Sequence, residues 1–137
     1  MKKIFIFWAV LTMMGLSACG NRGGNVENVN IIEVESELYT ADEIDAAIRT
    51  IISEFDRKWG GCTLNEIYYA GDIKNAAYQD VRQQGTPADE VIVLLSSFDV
   101  DSSGGDGSFN PDSTYDNWMW ILTRTAGGTW KHIDHGY

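Results

Sequence analysis

The chain has 137 residues, ten Lys plus Arg against twenty Asp plus Glu, and a formal net charge of −10 at neutral pH. That length fits one domain. Its acidity excludes nucleic acid and anionic lipid headgroups as electrostatic partners, and two cysteines are too few for a disulfide-built scaffold.

Lys2-Lys3 precedes an apolar run over residues 4–15, and the small residues Ser17 and Ala18 follow. This is the order of a secretory signal, with residues 1–18 expected to be removed. The apolar run is shorter than the ~20 residues a spanning helix needs. Leu16-Ser17-Ala18-Cys19 resembles the lipobox of bacterial lipoproteins. The resemblance implies a diacylglycerol on the Cys19 thiol and cleavage just before it. The protein is then anchored on the extracytoplasmic side of the cell membrane, with each buried methylene contributing ~0.8 kcal/mol. Cys62 is left without a partner and reads as a small buried apolar residue. Residues 19–37 begin polar and glycine-rich, as in a flexible tether. Val29, Ile31, Ile32 and Val34 give that stretch a second reading, a short strand docked on a sheet edge.

A single domain is expected over residues 38–137. Thr40-Ala41-Asp42-Glu43 has the form of a capping box, with Tyr39 and Ile44 placed as a hydrophobic staple. Ile44, Ile48, Ile51, Ile52, Phe55 and Trp59 form one helical stripe. Gly60-Gly61 stops it. Residues 63–69 read as a strand and residues 72–84 as a weak surface helix ended by Gly85-Thr86-Pro87. Residues 91–98 and 117–123 read as strands, and residues 91–95 of the first and the aromatic run of the second are apolar on both faces, as in covered strands. Residues 126–129 make a hairpin turn, and a last strand follows over 130–135. This order gives an α+β fold with one long N-terminal helix packed on a curved antiparallel sheet of about four strands. In element order it resembles the cystatin-like folds, including the nuclear-transport-factor-like cone. The acidic stretch with its following aromatic strand is similar to a pattern of small bacterial surface lipoproteins, a likeness that implies no activity.

Three groups offer chemistry. In the acidic connection, residues 99–116, Asp99-Val100-Asp101-Ser102-Ser103-Gly104 matches the start of a calcium loop, and Asp106 adds a further oxygen. The match stops at Asn110, where a bidentate Glu is required, and the same residues serve ordinary Asx-turns. Trp118 and Trp120 share a strand face, with Trp130 on the next strand. Such a cluster lines a concave pocket for an apolar or sugar-like ligand, or it packs the core. Lys131-His132-Ile133-Asp134-His135 is the third. On a regular strand His132 and Asp134 share one face and His135 takes the other, so the three cannot bind one metal, and the stretch reads as a polar strand end. No G-x-S-x-G and no phosphate-cradling glycine loop is present. The expectation is non-catalytic binding at the cell envelope, of a protein, peptide or small molecule. The alternatives are a small extracytoplasmic enzyme with a pocket between the sheet and the acidic loop, or a calcium-dependent surface module.

Overall fold

The computed structural model describes residues 23–79 and 89–137; the signal segment, Cys19 and the expected helix stop at Gly85-Thr86-Pro87 lie outside the described residues. The order is β1 (Asn30–Ile32), α1 (Ala41–Lys58), β2 (Cys62–Tyr69), α2 (Asp72–Ala76), β3 (Glu90–Val100), β4 (Ser113–Arg124) and β5 (Lys131–Gly136). Helix α1 starts where the sequence places it. The Thr40 hydroxyl accepts from the Glu43 amide at 3.1 Å, and the Glu43 carboxylate accepts from the Thr40 amide at 2.9 Å. Ile48, Ile51 and Phe55 of its stripe are fully buried, each contributing ~1.5–3 kcal/mol.

The fold is α+β, but the sheet is mixed and five-stranded, in the order β1-β2-β3-β4-β5. The expectation of about four antiparallel strands is corrected at β1, which pairs parallel with β2. The reason is connectivity: β1 reaches β2 through α1, and a helical crossover returns the chain in the same direction. The glycine-rich lead-in belongs to this unit. The Gly24 amide donates to the Phe55 carbonyl at 2.9 Å, and Asn25 exchanges backbone bonds with Cys62 and Leu64. A Cβ on Gly23 would sit 1.8 Å from the Asp56 carbonyl oxygen. Gly23 therefore permits close approach to the end of α1. The domain boundary expected at residue 38 moves back to include residues 23–37.

The helical spacing over residues 72–84 yields a helix only over Asp72–Ala76; residues 80–88 lie outside the described set. α2 has a structural purpose. Strand β3 runs past the end of β2, whose last paired residue is Tyr69 opposite Leu94. Beyond it, the buried Asn75 side chain accepts from the Val93 amide at 2.8 Å and donates to the Val91 carbonyl at 3.2 Å. One amide side chain thus continues the ladder. Asp72 gathers Ser36, the Glu37 amide and the Tyr69 hydroxyl at 2.6–2.8 Å, and these donors hold its carboxyl below the usual range.

Each of β2, β4 and β5 carries a bulge. Asn65 is extra in β2, Asp116-Asn117 face the single Ser97, and Ile133 is extra in β5. Asn117 takes the left-handed conformation, with φ 57°, one that Asn tolerates better than most residues. Each bulge bends its strand and shifts the side-chain alternation by one. As a result Leu64, Ile67, Tyr69, Trp118, Trp120 and Leu122 all join the core against α1. The β3–β4 connection shortens to residues 101–112, because Asp99 pairs with Thr114 and Val100 with Ser113.

Candidate functional site

The acidic loop is closed by its own hydrogen bonds. The Asp101 carboxylate accepts from the Ser103 amide at 2.8 Å and from the Ser103 hydroxyl. Asp106 repeats the arrangement with Ser108. These donors hold both carboxyls below the ordinary range. Asp99 lies on β3, not in the loop, and accepts from Thr114 across the strands at 2.7 Å. The four residues with calcium-loop spacing are thus distributed over a strand end and two separate Asx-type turns. Among the described residues, no group of three or more His, Cys, Asp or Glu is placed to hold a metal ion.

The three tryptophans pack inward. Trp120 is fully buried, and its indole nitrogen donates to the Ser96 hydroxyl at 2.8 Å. Trp130 donates to the Glu43 carbonyl and lies under the Arg124 guanidinium, 4.2 Å from the ring centre. Arg124 in turn bridges Glu43 and Glu90. Trp118 is buried among Phe98, Phe109, Tyr115 and His135, and among the described residues its indole nitrogen has no hydrogen-bond partner.

Trp59, which sequence periodicity assigns to the core stripe, lines a surface opening together with Phe109. It lies just past α1, and its amide donates to the Phe55 carbonyl at 3.1 Å. Its ring is half-buried and stacks on Phe109 of the acidic loop, with centroids 5.5 Å apart and planes at 25°. The loop is drawn there by the Asp101 amide, which donates to the Gly61 carbonyl at 2.9 Å. Gly61 has φ +83°, and a Cβ there would lie 2.7 Å from the Ser103 hydroxyl.

Between these parts lies a cavity of about 240 Å³ walled by Trp59, Phe109, Lys58, Asp106 and His135. It adjoins an open depression of about 640 Å³ between Arg57, Lys58, Asp101 and Asp106. Two cations from the end of α1 and two carboxylates from the loop thus line one depression, and among the described residues neither Arg57 nor Lys58 forms an ion pair. Cys62 borders the cavity as a buried thiol. Burial first, and then Asp101 and Asp106, push its pKa up to about 11, so it is protonated at neutral pH and is no nucleophile.

The strand-end histidines correct the sequence reading most sharply. Ile133 bulges, so His132 pairs with Leu122 and His135 with Trp120. Both side chains therefore lie on the helix-facing side of the sheet, with rings 5.2 Å and 5.4 Å from Trp120. His132 Nδ1 is 2.8 Å from the Glu54 carboxylate of α1, and its Nε2 is 3.1 Å from His135 Nδ1. Burial, reinforced by His132, lowers the His135 pKa below its ordinary value. Glu54 carries no sequence signal of its own beyond lying on the helix. No protein-family model, curated protein or solved structure matches the chain.

Proposed function

We propose that the protein is a lipid-anchored, extracytoplasmic binding protein that takes a small zwitterionic ligand, an amino acid or short peptide, in the groove between the end of α1 and the β3–β4 loop. The anchor at Cys19 rests on the signal segment and lipobox. One observation carries the ligand class: Arg57, Lys58, Asp101 and Asp106 line one depression, and it adjoins a cavity lined by Trp59 and Phe109. A carboxylate is drawn to the first pair and an ammonium to the second, while a side chain lies on the rings. The cystatin-like order is retained in this reading, with β1 added beside the helix-backed strands β2–β5.

Calorimetry with the dipeptide Gly-Phe tests it, against the same dipeptide acetylated and amidated. The free dipeptide is expected to bind, and Lys58→Ala or Asp106→Asn to weaken it about tenfold each, the worth of one charge-assisted hydrogen bond. Equal binding of the blocked dipeptide, or no effect of either substitution, would count against it. The alternative, a small enzyme, draws its support from Glu54, His132 and His135.

A further inference from the structure

The groove wall at His135 continues into the protein through His132 to Glu54, and the hydrogen bonding along that line has one direction. An ionised carboxylate only accepts, so His132 Nδ1, 2.8 Å from Glu54, carries a hydrogen. In neutral His132 the other nitrogen, Nε2, then accepts, and its partner 3.1 Å away, His135 Nδ1, must donate. A neutral His135 is left with its lone pair on Nε2. That atom has no partner among the described residues, and the ring lines the groove. Packing fixes the geometry. The two imidazoles meet edge to edge, with centroids 5.1 Å apart and planes at 29°, and His135 also stacks on Trp118 at 5.8 Å. The Glu54 and His132 side chains are 19% and 11% exposed, so water competes weakly for the inner bond.

We infer that Glu54, His132 and His135 form a relay that makes His135 Nε2 a hydrogen-bond and proton acceptor in the groove, and that the preferred ligand carries a hydroxyl on an aromatic ring. This rests on the groove being the ligand site. A phenol laid along Trp59 and Phe109 donates its O–H to Nε2. If the proton transfers, the O–H bond breaks and an Nε2–H bond forms. The Nδ1 proton of His135 then shifts to His132 Nε2, and that of His132 to Glu54, so the transfer ends with a phenolate on the ligand and a protonated, partly buried Glu54. The charged groups facing the relay are Glu54 and Lys58 from α1, Asp134 from β5 and Asp106 from the loop. Protonation of His135 removes the acceptor, so the preference for a hydroxyl disappears in acid.

Two measurements on the full chain test this. Long-range ¹H–¹⁵N spectra of the imidazoles at neutral pH need no ligand. His135 is expected as the Nδ1–H tautomer, reverting to a mixture in Glu54→Ala. Calorimetry then compares Gly-Tyr with Gly-Phe, which differ only by the hydroxyl. Gly-Tyr is expected to bind about tenfold more tightly, the worth of one hydrogen bond, and Glu54→Ala, which lies outside the groove lining, to narrow that difference. An Nε2–H tautomer at His135 in the unmodified chain overturns the relay. Equal affinity for the two dipeptides overturns the inference alone, whereas absence of binding by both overturns it together with the groove reading.

Discussion

Asn75 shows how much a single side chain can carry in this fold. It is fully buried on a five-residue helix, yet it supplies both bonds that β3 loses where β2 ends. Its two bonds are unequal. The Val91 carbonyl also accepts from the Tyr39 hydroxyl at 2.6 Å, while among the described residues the Val93 amide has only Asn75. Asn75→Ala is therefore expected to destabilise by about 2–3 kcal/mol, the cost of one orphaned buried donor and a lost bond, read from urea unfolding. A loss below about 0.5 kcal/mol would mean that another group takes over the amide. This role was not legible in the sequence, where Asn75 is one polar residue among several in a weakly helical stretch. The contact depends on strand lengths that only the assembled sheet sets.

At the scale of elements, local signals gave reliable results and alternation failed. The capping box at Thr40 and the stripe from Ile44 to Phe55 place α1 correctly, because helix start and amphipathic face are encoded within a few neighbouring residues. The bulges at Asn65, Asn117 and Ile133 answer to cross-strand pairing and leave no comparable local mark. A regular β5 separates His132 from His135; the bulge unites them and makes the Glu54 contact possible. Composition misleads at Gly23-Gly24 in another way. Glycines that suggest a loose tether are required by contact with the end of α1. Gly23→Ala is accordingly expected to cost about 1–3 kcal/mol through overpacking, measured by urea unfolding of the full chain. A tether residue would change stability by less than about 0.5 kcal/mol.

For the molecule as a whole, the titrating groups frame a stable window. His135 has a folded pKa below its ordinary 6.5, so the unfolded chain binds the proton first and stability falls as the pH drops below that value. Asp72, Asp101, Asp106 and Glu43 are also depressed, and their contributions vanish further into the acid range. At the other limit Cys62 is raised from 9.0 to about 11, so its contribution is complete below 9 and is lost as the pH rises through 11. Urea midpoints are expected to be level between pH 7 and 9 and to fall on both sides; a midpoint that rises on acidification from 7 to 5 would contradict these assignments. The groove lies where three sequence-distant parts meet: the end of α1, the β3–β4 loop and the end of β5. Its charged residues are visible in the sequence, but their convergence is not. The most direct test of the central claim is a ¹H–¹⁵N map of the full chain titrated with Gly-Phe. Shifts are expected at Lys58, Trp59, Gly61, Asp106, Phe109 and His135, with β1 and the Trp130 region unchanged. Shifts centred on Trp130 or the β1 edge, or none at all, would contradict it.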